Sequence, residues 1–182
     1  MLPEFKAYSS IPRLFRGCTV TEKLDGTNAI VHISDDGVTV TAGSRNRWLS
    51  LEHDNYGFGR WVSEHEAELK SLGPGYHYGE WWGCGIQRRY GLSEKRFSLF
   101  NVGRWGTGGP DADKLPACCG VVPVLYEGEF SQGHIMECLA GLKATGSVAA
   151  PGFMDPEGIV VLVNRNLFKV TLGGDGHKGV AA

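Results

Sequence analysis

The sequence predicts an α+β domain with mostly antiparallel sheets. Three observations lead there. Short runs of alternating apolar residues recur along the chain. Most are joined by turn signals too short for the crossover that parallel strands require. Two segments of helical period follow groups of strands instead of alternating with each of them.

Bulk composition narrows the setting. At 182 residues the chain fits one domain with a sizeable core. Apolar content of 42% and charged content of 21% are those of a soluble globular protein. The 27 glycines are about twice the usual share of roughly 7%, which predicts many turns and close backbone approaches. No apolar run approaches the ~20 residues of a membrane helix, and Met1–Ser10 lacks a signal-peptide pattern. The five cysteines are odd in number and have no metal-type spacing, so reduced thiols inside a cell are expected, with Cys118-Cys119 an idle pair in a loop. A formal charge of -2 gives no general attraction to nucleic acid; a polynucleotide would have to meet basic residues gathered on one face.

Taken in order, Leu2 to Arg16 is an irregular lead-in expected to pack against the first strand. Strands are predicted at 19–24, 29–34 and 38–42, the last two joined by the hairpin signal Asp35-Asp36-Gly37. Tyr56 to Leu72 repeats Phe58, Trp61, Val62, His65 and Leu69 at helical spacing, with His65 a core histidine and Gly73-Pro74-Gly75 the stop. Strands follow at 76–82 and 96–102. Gly103 to Gly120 reads as a flexible loop. A strand at 121–126 leads to a helix at 131–145 with Ser131 as N-cap. Strands at 158–163 and 167–172, separated by Asn164-Arg165-Asn166, close the core, and 173–182 is a frayed tail.

Between the first two strands lies Thr21-Glu22-Lys23-Leu24-Asp25-Gly26-Thr27-Asn28, with Gly26 supplying a permissive turn backbone. A lysine and two carboxylates in such a segment have two readings. One is a hairpin whose charges all face water. In the other, desolvation pushes the lysine toward its neutral form, nearby acids tune it, and the amine attacks an electrophile.

Glu22-Lys23-Leu24-Asp25-Gly26-Thr27-Asn28 resembles the first signature of the covalent nucleotidyltransferases, which comprise RNA ligases, DNA ligases and mRNA-capping enzymes. The ending Thr-Asn is similar to the RNA ligase branch, in particular the RNA ligase 2 type. Further segments match the family in order. Gly43-Ser44-Arg45-Asn46-Arg47 offers Arg45 as a phosphate contact, since an arginine fork bonds phosphate oxygens bidentately, with Arg47 as second candidate. Tyr78-Gly79-Glu80-Trp81-Trp82-Gly83 resembles the third motif, whose glutamate bonds the ribose hydroxyls, here Glu80. Phe97-Ser98-Leu99-Phe100 resembles the next, with Phe100 chosen over Phe97 to pack on the purine. Pro156-Glu157-Gly158-Ile159-Val160-Val161 resembles motif four, where the carboxylate engages the metal, here Glu157. Leu167-Phe168-Lys169-Val170-Thr171 resembles motif five, with Lys169 on the α-phosphate and Thr171 where a second lysine is common; Lys178 is a possible substitute for it.

The resemblance implies a nucleotidyltransferase domain over residues 1–172, built of two mostly antiparallel sheets with flanking helices and a nucleotide cleft between them. It implies a lysyl-adenylate formed by Lys23 from ATP with Mg²⁺ (or Mn²⁺) and passed to a 5′-phosphate end that a 3′-hydroxyl then seals. Glu22 would read the adenine, Asp25 would position the lysine, and Asn28 would orient the α-phosphate or ribose. RNA is the implied partner, with DNA or mixed nicks as alternatives, and Arg88 and Arg89 are candidates to grip it. No appended OB-fold or helical module is expected after Leu172, so a partner protein could supply nucleic-acid contacts. No membrane partner is expected, and the compartment is the cytoplasm of a bacterial cell or phage-infected host. Competing readings are a DNA ligase, a capping-type guanylyltransferase and a catalytically silent end-binding protein.

Overall fold

A computed structural model describes residues 3–11 and 16–173. Nine strands form two sheets. The first three are β1 (Gly17–Lys23), β2 (Thr27–Ile33) and β3 (Val40–Ser44). After α1 (Phe58–Glu64) and α2 (Glu66–Leu69) come β4 (Gly75–Gly83), β5 (Lys95–Leu99), α3 (Val102–Trp105) and β6 (Cys119–Val121). The chain then forms β7 (Val124–Glu129), α4 (Gln132–Thr145), β8 (Gly158–Val163) and β9 (Asn166–Thr171). One sheet has the order β7-β1-β8-β9, the other β3-β2-β4-β5-β6. Every pairing is antiparallel except β5 with β6. This is the predicted α+β class.

Alternation fixes which face of each strand is buried, because successive side chains point to opposite sides. In the five-stranded sheet Ala29, Val31, Ile33, Trp81, Phe97 and Leu99 pack inward against Phe58 and Val62 of α1. In the four-stranded sheet Cys18, Val20, Ile159 and Val161 pack on Leu142 of α4. A third cluster, Leu24, Trp82, Tyr90, Val122 and Ala150, lies under the turn between β1 and β2. The two main cores therefore lie on different sheets, and the turn after β1 links them. As predicted, the Ser131 hydroxyl caps α4 by accepting from Gly133 N at 3.2 Å.

Four expectations change. Residues 3–11 are exposed, with Phe5, Tyr8 and Ile11 all open to solvent, so this stretch does not pack on β1; Pro12 and Arg13 lie outside the described residues. The helix predicted over 56–72 breaks at His65, which is half-buried instead of core. At His65 the backbone leaves helical geometry (φ -107°, ψ 14°), its ring nitrogen meets the Trp61 carbonyl at 2.9 Å, and the segment divides into α1, α2 and a 3₁₀ turn. The predicted strand over 96–102 ends at Leu99, and Val102 begins α3 instead, capped by the Asn101 side chain. The segment 103–120 is not a loose loop. Trp105 is buried, Arg104 bonds Asp111 at 2.7 Å and the Leu72 carbonyl at 3.1 Å, and Cys119 starts the parallel strand β6. The predicted tail at 173–182, with Lys178, lies outside the described residues apart from the exposed Gly173.

Candidate functional site

The two sheets face each other across a cleft of about 460 Å³ lined by Thr21, Glu22, Lys23, Asn28, Arg45, Glu80, Phe100 and Lys169, among others. Its walls follow from strand alternation. On β1 the residues Thr19, Thr21 and Lys23 point into the cleft while Val20 and Cys18 fill the core. On the opposite sheet Asn28 and Glu80 stand side by side in register, and Phe100 follows β5.

Lys23 is the last residue of β1, paired with Gly158 of β8. That pairing brings Glu157 alongside, and its Oε2 accepts from Lys23 Nζ at 2.6 Å. The lysine side chain keeps 24% exposure. The pocket is thus wetter than the dry one expected, because Lys23 leaves the strand at the cleft's open rim, and an acid partner faces it. Close approach of the backbones makes the pair possible. At Gly158, where φ is +153°, an added Cβ would strike the Val170 carbonyl and lie 2.8 Å from Thr171 Cα. Gly26 is required for a similar reason and not for turn conformation. Its φ is not in the left-handed range, but a Cβ there would meet the Trp81 carbonyl and sit 2.8 Å from Trp82 Cβ.

Four further contacts hold the turn. Gly26 N donates to Glu80 Oε1 at 3.0 Å, and Asp25 N donates to the Tyr90 hydroxyl at 2.7 Å. Arg88 Nε pairs with Asp25 Oδ2 at 2.9 Å, and its Nη1 reaches Asp155. Arg88 is thereby committed to the protein and is not a free grip for nucleic acid. Arg89 is exposed, at a positive φ of 60°. Arg47 is exposed but turned to its own loop, donating to the His53 and Asp54 carbonyls.

Glu22, which also lines the cleft, is held by protein partners. It is 1% exposed, and its carboxylate accepts from the Ser147 hydroxyl at 2.6 Å, Val148 N at 2.9 Å and Ala149 N at 3.0 Å. The side chain faces inward because residue 22 falls on the core phase of β1. It braces the 147–149 segment from the floor of the cleft.

Glu80 is 8% exposed. Burial pushes its carboxyl up to about 7, against the opposing pull of Lys23 and the Gly26 N–H, while Glu157 and Asp25 add to the rise. Burial also raises the Tyr90 phenol well above its ordinary value. Lys169 and Arg45 are both exposed on the cleft walls, and Phe100 presents 39% of its surface there while Phe97 is core. Thr171 sits opposite Gly158 in the β8–β9 ladder. Sequence reasoning missed Tyr90, Ser147 and the 147–149 amides. Their only signal was a tyrosine after a basic run and a serine beside small residues, which is too common to single out.

The comparisons agree with this geometry. The pattern of the RNA ligase family matches residues 17–171. The chain belongs to the RNA ligase family. No curated protein matches it. Among solved structures, a Naegleria gruberi RNA ligase mutant with AMP and Mn superposes at a TM-score of 0.63, with 22% identity over 86% of this chain and 49% of that one. A second Naegleria gruberi RNA ligase mutant, with ATP and Mn, gives 0.65 at 21% identity, over 86% and 50%. At such identity the likeness establishes the fold, that of the RNA ligase nucleotidyltransferase domain. The chain spans about half the length of these solved ligases. Among the described residues no helix is long and apolar enough to cross a membrane.

Proposed function

We propose that this domain is the adenylylation core of an ATP-dependent RNA ligase, joining a 5′-phosphate to a 3′-hydroxyl through a covalent lysyl-AMP. The observation that carries the reading is the position of Lys23. Its amine lies at a cleft that also presents Arg45, Glu80, Phe100 and Lys169, and it is 2.6 Å from Glu157.

In the first step the neutral amine of Lys23 attacks the α-phosphorus of ATP. An N–P bond forms, the bond from the α-phosphorus to the bridging oxygen breaks, and pyrophosphate leaves with the electron pair. The proton that the ammonium must lose first has Glu157 as its nearest acceptor. Lys169 and Arg45 offset charge gathering on the phosphate in the transition state. Glu80, with one oxygen held by Gly26 N, offers the other to a ribose hydroxyl. Phe100 stacks on the purine, Asn28 orients the α-phosphate or ribose, and Asp25, itself held by Arg88, keeps the lysine's turn in place. Glu22 acts through the 147–149 segment that it anchors.

Among the described residues no group of three or more His, Cys, Asp or Glu is arranged to hold a metal alone. That fits Mg²⁺ or Mn²⁺ held by one or two carboxylates together with substrate phosphates, with Glu157 as the protein's hard oxygen donor. Such a cation supplies charge neutralisation on the triphosphate. AMP then passes to the RNA 5′-phosphate, and the 3′-hydroxyl displaces it to form the phosphodiester. Arg89 remains as an exposed cation for RNA, and a partner protein could add to it.

Intact-mass measurement after incubation with ATP and Mg²⁺ tests the reading. An adduct of AMP mass is expected on the wild type and none on Lys23→Ala. Persistence of the adduct in that variant, or a GMP adduct in preference to AMP, overturns it.

A further inference from the structure

The five-stranded sheet carries a feature that the nucleotide site does not use. On its outer face, the face that also bears Asn28 and Glu80, the β2–β4 register places Ile30 opposite Tyr78 and His32 opposite Tyr76. Phe100 N donates to the Tyr78 carbonyl, which sets Phe100 beside Tyr78. Trp48 folds back over Gly43 of β3, whose missing side chain makes room for the indole. The rings form a continuous set. His32 and Tyr76 are 4.4 Å apart, Trp48 and Tyr76 are stacked at 6.3 Å, and Tyr76 and Tyr78 are stacked at 6.1 Å.

These are large side chains to leave in water. Trp48, Tyr76 and Tyr78 are 50%, 55% and 53% exposed, on a sheet whose other face is fully packed. One residue separates Tyr78 from Glu80 and one more separates Tyr76 from Tyr78, so the stripe leaves the cleft and reaches about 13 Å beyond Glu80 along β4. A cation adjoins it. Arg45, on the cleft wall, lies in the turn that Trp48 closes, whereas Arg47 of the same turn is held by the His53 and Asp54 carbonyls.

We propose that this stripe is a stacking track for single-stranded RNA as it leaves the nucleotide cleft, a reading that rests on the function proposed above. The chemistry selects that occupant. Flat rings with polar edges stack on any base without reading its sequence, while the adjacent Arg45 meets the backbone. Bases in a duplex are already stacked on one another and are not available to such a surface. Tyr and Trp also anchor protein interfaces, but continuity with a nucleotide cleft and the adjoining cation favour RNA here. Continuity with the cleft sets the direction: a strand whose end is held near Lys23 passes Tyr78 before reaching Tyr76 and Trp48.

The test pairs two readouts on the full chain. One is AMP adduct formation with ATP and Mg²⁺. The other is affinity for a 5′-phosphorylated oligo(U) of roughly 12 nucleotides and for a blunt RNA duplex. The double variant Tyr76→Ala/Tyr78→Ala is expected to load AMP as the wild type does and to lose roughly 25-fold or more in affinity for the single strand. Tyr76→Phe/Tyr78→Phe keeps the π-faces and retains binding, whereas Tyr76→Leu/Tyr78→Leu keeps apolar area without them and loses it. Unchanged single-strand affinity in the alanine pair overturns the proposal, as does rescue by leucine. So does a wild-type dimer in sedimentation that the alanine pair dissociates, because the stripe is then a contact between copies. If the wild type takes no AMP yet binds the single strand through these tyrosines, the ligase reading falls and the track stands.

Discussion

The turn at Lys23 and the cations of the cleft walls are built differently. Around Lys23 nearly every polar group of the turn has a protein partner: Glu22 with three donors, Asp25 with Tyr90 and Arg88, Gly26 with Glu80. Lys169 on β9 and Arg45 just after β3, by contrast, stand exposed on the walls of the same cleft. The difference teaches how such a site divides its work. The backbone of the proposed nucleophile is fixed by the fold itself, since small misplacement of a reacting group is costly. The cations that would meet phosphate are left solvated and wait for the charge they are to balance.

The sharpest break of that contrast is Glu22→Ala. It removes one buried carboxylate and orphans the Ser147 hydroxyl and two backbone amides, so a stability loss of about 4 kcal/mol is expected in urea unfolding. A loss under about 1 kcal/mol would mean that the 147–149 segment is held by other means. Lys169→Ala should behave in the opposite way. Its melting temperature should stay close to the wild type, because an exposed side chain on β9 is removed. The rate of AMP loading should fall on the order of 10²-fold, worth about 3 kcal/mol of barrier.

Glu80 belongs to both sides of the comparison, being braced by Gly26 and also placed in the cleft. Its folded-state value of about 7 stands above the ordinary 4.5, so the folded chain binds the extra proton between those limits. Stability therefore falls as pH rises from about 4.5 to 7 and stays lowered above it. Glu80→Gln keeps an acceptor for Gly26 N and removes this slope. The variant should be more stable than the wild type by about 2–3 kcal/mol at pH 8, and level with it near pH 4. AMP loading should drop in the same variant. A wild-type pH profile parallel to that of Glu80→Gln would refute the buried-acid account.

The sequence exposed the braced turn and the waiting cations unequally. Period-two alternation with hairpin signals located β1 to β4, β8 and β9 within a few residues, and the order of Lys23, Arg45, Glu80, Glu157 and Lys169 along those strands matched what the fold gathers. What stayed hidden is the bracing. Glu22 reaches residues 125 or more positions away and Asp25 reaches Tyr90 across 65, and contacts of that range leave no local pattern. The phase of β1 did hold one usable clue. Residue 22 alternates with Val20 and Cys18, so an inward carboxylate could have been inferred, together with its need for buried donors. The parallel strand β6 and helix α3 were masked by glycine and proline, which mark turns whether or not the turns are packed.

The smallest effect falls on the hidden brace at Tyr90. Its ring packs edge-on against Trp82 at 4.9 Å and against Phe153 at 4.7 Å, and Tyr90→Phe keeps both contacts. Only the hydroxyl that accepts from Asp25 N at 2.7 Å is lost. The amide is part-buried and water can reach part of the vacated space, so about 1 kcal/mol of stability is expected to go. Asp25 keeps its pairing with Arg88, and AMP loading should slow only a few-fold. Because burial keeps the phenol protonated through the working range, the difference between variant and wild type should not change from pH 6 to 9. A loading defect beyond 10²-fold at unchanged melting temperature would show that the Tyr90 hydroxyl acts on the reacting groups themselves, and the separation between a fixed turn and waiting cations would have to be redrawn.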